Sequence, residues 1–564
     1  MRAFWTMVLL VLCCVPAVTW VHRDDLGRWA INRTAMSAPD EFSYLLMARS
    51  IADGQGISTL GYLGRDTFYP PGYPLQLAAW GKAFGFSIEA MHACNVVTLG
   101  IAALVAFFLS RAIVRQVCRA RYFSDAIALL TTALFVTNWH VLETAIFVFS
   151  EPLFMLITFA WLGLSLKWPK WWMSPAQTAV LAVLAVAAAA TRSAGIVCVL
   201  AMLTFVVFAA IRERKAVTPR PLAIALLITL LAAAAYFITL HKVSPEKSPF
   251  AGTNTANSYS KQLANGLTDG GRLTPKRIED WPNLAVHVSN LALSHAVDAA
   301  ESFVPWYRDV EPKAALLSAV GKAVLILALV GWLGSLIGRR RQIALLDVYI
   351  AGYAALYLLW PFNMTRFWSP LLPIMLAFAG IAVDLVGGRI AQTRVGMLRL
   401  APTTLLLLGL LLMLSVQELR LQLGFYQRRL NYVSDSLARS AATIKKLSPD
   451  ASNTIVAVAG GDEHFVFAWY LNRDPLPTSP RPNARAGNRD EFVKDMLARL
   501  LTDRAQRGKR LFVVSYFTHG MFGDIFRDFD RAYPELAAQY EIVRVQQHEI
   551  ISATWEVRRR DQAK

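Results

Sequence analysis

The chain has 564 residues, 55% of them hydrophobic and only 17% charged, with a mean hydropathy of +0.39. These proportions exclude a fold built around one aqueous core and describe a polytopic α-helical membrane protein. The formal net charge of +18 would suggest nucleic acid in a soluble domain, but the arginines cluster in short gaps between apolar runs, where topology explains them.

A bilayer span takes about 20 apolar residues. About eleven such runs are expected: residues 4–21, 91–110, 125–140, 144–166, 177–191, 194–211, 222–240, 314–337, 345–361, 367–386 and 402–418. The first fits either a span or a signal peptide, since a basic start and an apolar core suit both, although no small-x-small site precedes His22. Runs 177–191 and 194–211 meet with almost no loop at Thr191, Arg192 and Ser193, as short or re-entrant helices at a cavity would. Basic gaps follow at Arg111–Arg121, Lys167–Lys170, Arg212–Arg220, Arg339–Arg341 and Arg389–Arg399. If the spans alternate, all five fall on one side, and the positive-inside rule makes that side cytoplasmic. The N-terminus is then cytoplasmic, and segments 22–90 and 241–313 and the C-terminal region lie outside.

The outer segment 22–90 opens with PDEFSYLLMARSIADGQG, in which Asp40 and Glu41 are adjacent. A helix is expected here, with Phe42, Leu45, Leu46 and Ile51 on the membrane interface and Arg49 and Asp53 in water. Asp40 after Pro39 also suits a plain N-cap. DTFYPPGYPLQLAAW follows, with prolines that hold a non-helical surface and two tyrosines, Tyr69 and Tyr73, that offer sugar-stacking faces with hydroxyl tips. Farther along, Glu151 lies between Ser150 and Pro152 at the outer part of a span, where a carboxylate is costly unless paired, with Arg192 or Arg366 as candidate partners. Arg192 and Arg366 face the same outer side, where a membrane arginine suits an anion or a snorkelling position. His140 and Glu143 read as an ordinary outer turn. The polar stretch 244–281 reads as an external loop, in which Lys242, Lys247 and Lys261 make the surface cationic.

From about residue 425 the composition changes. TIVAVAG, RLFVVSYF and YEIVRVQQHEIISATWEVRR read as strands and EFVKDMLARLLTDRAQRG as an amphipathic helix, so a small extracytoplasmic α/β domain is expected over 425–564, beside a membrane domain over 1–424. The Gly461–His464 stretch contains metal-capable residues but reads as a loop after a strand. The five cysteines, Cys13, Cys14, Cys94, Cys118 and Cys198, form no CxxC pair and argue against disulfides and zinc.

PDEFSYLLMARSIADGQG, YPPGYPLQLAAW, FSEPLFMLITFA, AAAATRSAGIVCVLA and TRFWSPLLPIMLAFAG, in that order over residues 1 to 420, resemble the GT-C superfamily of membrane glycosyltransferases. The nearest look is to bacterial relatives of protein O-mannosyltransferases and lipid A aminoarabinose transferases. The resemblance implies a polyprenyl-phosphate sugar donor, an extracytoplasmic acceptor and inversion at the anomeric carbon. It places Asp40 as the catalytic carboxylate, beside Glu41, whose open roles are to orient the site, to pair with an arginine or to help hold a divalent ion. Arg192 and Arg366 would bind the donor phosphate, and Tyr69, Tyr73 and Glu151 the sugar or acceptor. No cofactor is required, although a divalent cation is compatible, and a lone Asp-Glu pair is a poor metal signature. Aminoarabinose transferases carry Glu-Lys before the paired prolines where this chain has Phe68 and Tyr69, so a phosphate-binding lysine is missing. The acceptor classes open to such an enzyme are envelope polysaccharide, lipopolysaccharide, lipid and protein, and the expected location is the bacterial inner membrane with the C-terminal domain in the periplasm. A flippase or exporter of lipid-linked sugars shares the bulk hydrophobicity and is the alternative.

Overall fold

The structure is a computed structural model that describes residues 2–21, 39–57, 69–117, 121–212, 219–243, 281–303, 314–339, 343–360, 365–390, 439–450, 453–459, 476–477, 509–516, 529–548 and 552–560. The expected span 402–418, the helix 491–508, the Gly461–His464 stretch, Phe68, Lys247 and Lys261 lie outside these residues, as does the side chain of Lys242. Fourteen α-helices organise the first part of the described chain. They are α1 (Arg2–Val21), α2 (Pro39–Ala52), α3 (Gly72–Phe84), α4 (Ile88–Arg115), α5 (Arg121–Thr137), α6 (Trp139–Ile146), α7 (Glu151–Lys167), α8 (Pro175–Thr191), α9 (Ile196–Arg212), α10 (Pro219–Val243), α11 (Trp281–Ser302), α12 (Ala314–Gly338), α13 (Leu345–Leu358) and α14 (Leu372–Ile390).

By length and composition, four helical segments among the described residues are able to cross a membrane: Glu89–Arg115, Ser193–Arg212, Ser318–Gly338 and Thr365–Val383. A fifth arises if Ser124–Thr137 and Trp139–Ala145, bent by 61°, count as one broken span. Helices occur at ten of the eleven expected positions, but several are too short to span alone, such as Pro175–Thr191 and Leu345–Leu358. The outward stripes are apolar: Leu200, Val207 and Ile211 on α9 and Ile326, Leu333 and Ile337 on α12 are all exposed. Spaced by seven and four residues, each trio covers one helix face, and apolar faces of this size suit lipid rather than water.

Three boundaries depart from the sequence reading. The outer turn expected at His140 and Glu143 is instead helix α6, capped at its start by Asn138, whose side chain accepts the His140 N–H at 2.9 Å. The chain breaks later, over residues 147–150. Helix α11 occupies part of an expected outer segment, and its described contacts tie it inward: Asn138 donates to the Ser302 carbonyl at 2.9 Å, and His295 Nε2 lies 2.5 Å from the Trp360 carbonyl. Helix α2 does not present its apolar residues to a membrane interface. Phe42, Leu45 and Leu46 are wholly buried, because α2 is packed from several sides at once.

The packing partners of α2 explain this. Phe42, Leu45 and Leu46 share one apolar cluster with Tyr73 and Leu77 of α3, Ala441 and Ile444 of the helical segment 439–447, and Val456, Phe512 and Val514 of the sheet. That sheet has five strands, β1 (Thr454–Ala459), β2 (Leu476–Pro477), β3 (Arg510–Tyr516), β4 (Tyr540–His548) and β5 (Ser552–Arg559), in the order β2-β1-β3-β5-β4. The first three are parallel, with Val456 opposite Phe512, and β5 runs antiparallel to β3 and β4. Phe512 and Val514 enter the α2 cluster while Leu511 and Val513 are buried on the other face, the alternation a two-sided sheet requires.

Candidate functional site

The site is assembled around the break between α6 and α7. Asn95, wholly buried on α4, places its amide nitrogen 3.2, 3.0 and 2.9 Å from the carbonyl oxygens of Thr144, Phe147 and Phe149. Two N–H groups are thus shared among three acceptors, one in the last turn of α6 and two in the break, where the Phe147 carbonyl also accepts the Phe149 N–H at 3.0 Å. The Asn95 carbonyl in turn accepts the Tyr73 hydroxyl at 2.8 Å. Burial lifts the Tyr73 phenol well above its ordinary value, so it stays a neutral donor.

Helix α2 is fastened to the same segment twice. The Val148 N–H donates to Glu41 Oε1 at 2.7 Å, and the Tyr44 hydroxyl lies 3.2 Å from Ser150 Oγ. Glu41 is therefore a buried carboxylate with a backbone partner. Asp40 is the second residue of α2, a position where the helix dipole favours an anion. Its side chain lies outside the described residues.

Two guanidinium groups converge on the other flank of the segment. Arg192 Nη1 lies 2.6 Å from Glu151 Oε1 and donates to Ser150 Oγ at 3.1 Å. Arg366 Nε lies 3.6 Å from the same Glu151 oxygen, and its guanidinium sits 4.1 Å from the centre of the Phe149 ring. Glu143 on α6 is within electrostatic reach of both Arg366 and Glu151. Arg192 occupies the extended residue after α8, before the short 3-10 turn Ser193–Gly195 that leads into α9. That turn needs Gly195, because a Cβ there would lie 2.2 Å from the Ala188 carbonyl carbon. Gly72 meets the end of α8 just as closely, a Cβ there falling 2.8 Å from the Ala190 oxygen, which brings the proline-rich segment beside Arg192.

Arg366 is carried by the 3-10 segment Thr365–Leu371, which is held from two directions. Thr365 Oγ1 lies 3.0 Å from His140 Nδ1, and the Tyr353 hydroxyl donates to the Phe367 carbonyl at 2.9 Å. Tyr349, Tyr353 and Tyr357 form a buried ladder along one face of α13, which ends within electrostatic reach of Arg192.

The structure thus gathers Glu41, Glu151, Arg192 and Arg366 around residues 147–151. Tyr69 is half-buried, its ring 4.7 Å from that of Tyr44. Tyr73 has no exposed surface: its ring packs edge-on against Tyr44 at 4.9 Å and its hydroxyl is given to Asn95. Among the described residues, no three His, Cys, Asp or Glu side chains gather as metal ligands would. Asn95, Tyr44, Ser150, Phe149 and Tyr357 were not singled out in the sequence reading. A signal existed for Asn95, an amide inside an apolar run, and for Ser150, directly before Glu-Pro at a helix start.

No protein-family model and no curated protein sequence matches the chain. Solved structures do. The oligosaccharyltransferase of Archaeoglobus fulgidus, solved tethered to an acceptor peptide, aligns at TM-score 0.57 and 13% identity over 96% of this chain and 73% of that one. The same archaeal enzyme, AglB, in complex with an inhibitory peptide and a dolichol-phosphate, aligns at TM-score 0.54 and 13% identity over 98% and 74%. ArnT of Cupriavidus metallidurans in the apo state aligns at TM-score 0.53 and 15% identity over 99% of this chain and 98% of that one. All are GT-C glycosyltransferases, and the likeness in fold runs over nearly the whole chain.

Proposed function

We propose that this chain, folded as GT-C glycosyltransferases are, is an inverting glycosyltransferase that moves a sugar from a polyprenyl-phosphate donor to an extracytoplasmic acceptor. The observation that carries the reading is the convergence of Arg192 and Arg366 on one carboxylate, beside the segment that fastens the Asp40-Glu41 helix. Two buried-edge guanidiniums are an anion site, and their position at helix ends suits a phosphate whose lipid tail stays in the bilayer.

In this reading the acceptor hydroxyl oxygen bonds to the anomeric carbon as the bond from that carbon to the phosphate oxygen breaks. Asp40 takes the hydroxyl proton, and the lipid phosphate leaves with the electron pair, stabilised by Arg192 and Arg366. Attack opposite the leaving group inverts the centre. Glu41, held by the Val148 N–H, fastens the start of α2, the helix that carries Asp40, to the segment 147–150. Tyr69 lines the sugar side, and Tyr73 supports it from behind through Tyr44. No step in this route requires a metal ion. The domain division at residues 424 and 425, a cytoplasmic N-terminus, a periplasmic C-terminal domain and an inner-membrane location complete the proposal. The division rests on the change of composition near residue 425, the orientation on the basic gaps, and the location on the resemblance to bacterial GT-C enzymes.

The test offers a panel of radiolabelled undecaprenyl-phosphate sugars to envelope fractions, with purified wild type and Asp40→Asn. Transfer from one donor that falls at least about 100-fold in the variant supports the reading, as loss of a general base should. Labelled lipid that crosses a bilayer without transfer would replace the enzyme with an exporter.

A further inference from the structure

We propose that Glu151 is a resident counter-anion of the donor site, which weakens the grip on lipid phosphate so that the spent carrier is released. The inference rests on the transferase reading above and concerns the same site. Glu151 is buried, and its Oε1 is shared unequally, 2.6 Å from Arg192 and 3.6 Å from Arg366.

The two arginines differ in how they meet Glu151. Arg192 meets Glu151 at 2.6 Å and donates to Ser150 Oγ at 3.1 Å, so two neighbouring residues orient its guanidinium. Arg366 makes the longer contact to Glu151 and rests on the Phe149 face at 4.1 Å. A guanidinium stacked on a ring can exchange in-plane partners without giving up its seat. When donor phosphate arrives, Arg366 turns its edge from Glu151 to the phosphate while Arg192 keeps both. When the lipid phosphate leaves, Glu151 recovers Arg366, and the buried charges are never left unpaired. Glu143 is a second carboxyl group within electrostatic reach of Arg366. A site without Glu151 would bind every lipid phosphate harder, including the product.

The sign of the effect separates this role from a structural one. A residue that merely held the arginines in place would weaken binding when replaced, whereas a competing anion strengthens it. The experiment titrates undecaprenyl phosphate into the purified full-length chain at fixed salt, with neutral undecaprenol as control, for wild type, Glu151→Gln, Glu151→Asp and Arg366→Gln. Glu151→Gln is expected to lower Kd about tenfold and to deepen product inhibition of transfer by the same factor. Arg366→Gln is expected to raise Kd by about tenfold or more. Should Glu151→Gln fail to fold, Glu151→Asp carries the test: the shorter carboxylate keeps Arg192, releases Arg366 and lowers Kd about threefold. Wild type that binds undecaprenyl phosphate while the folded Glu151 variants bind no tighter overturns this inference alone. Wild type that binds it no better than undecaprenol overturns the transferase reading and this inference with it.

Discussion

Asn95 has no surface and no charge, yet four groups depend on it: the carbonyls of Thr144, Phe147 and Phe149 and the hydroxyl of Tyr73. Replacing it with leucine keeps the volume and removes every polar contact, leaving buried acceptors without this partner. Asn95→Leu is expected to cost about 2–3 kcal/mol, read as a lower unfolding temperature of the detergent-solubilised chain. Arg192 illustrates a different dependence. Its Nη1 meets both Ser150 Oγ and Glu151 Oε1, and the planar guanidinium can add the bidentate grip on a phosphate that an ammonium cannot reproduce. Arg192→Lys is therefore expected to cut transfer by about tenfold or more although the charge is kept, and unimpaired transfer would remove Arg192 from the phosphate site.

Among the elements, α13 has a role beyond filling space. Its tyrosine ladder recurs every four residues, so one helix face carries Tyr349, Tyr353 and Tyr357 from the buried interior to the site. Tyr353 anchors the 3-10 segment that bears Arg366 through the Phe367 carbonyl. Tyr353→Phe keeps the ring stacking and loses that bond, a cost of about 1 kcal/mol. It should loosen Arg366 and so weaken undecaprenyl phosphate binding more than it lowers the unfolding temperature. The α5–α6 bend is set by Asn138, which caps α6 and also reaches α11. There the local sequence and the tertiary contact agree.

At the scale of the whole molecule, the sheet and the proposed catalytic helix share one apolar cluster. Phe512 of β3 and Phe42 of α2 are both wholly buried in it. Phe512→Ala is expected to cost about 3–5 kcal/mol through the cavity it leaves. Because the cavity borders the helix that carries Asp40 and Glu41, transfer should fall together with protease resistance of the sheet. Transfer that is untouched while the sheet becomes protease-sensitive would show the two to be energetically separate.

Much of this protein is written locally in its chain. Apolar runs predict helices at the ten expected positions that fall among the described residues because hydropathy is a sum over neighbours, and β1, β3, β4 and β5, though not the two-residue β2, follow from β-branched runs for the same reason. Charged groups in apolar surroundings point to Glu151, Arg192 and Arg366, since a membrane segment tolerates such residues only with partners. Which partners they have is a different kind of question. The burial of α2 on several sides, the shift of the chain break from His140 to residues 147–150, and the links from Tyr73 through Asn95 to that break join positions as many as 107 residues apart in hydrogen bonds alone. Periodicity says that Phe42 and Leu45 avoid water, but it does not distinguish lipid from a neighbouring helix or a distant sheet. Only the tertiary structure decides that, because the avoided water is replaced by whichever surface the rest of the fold brings there.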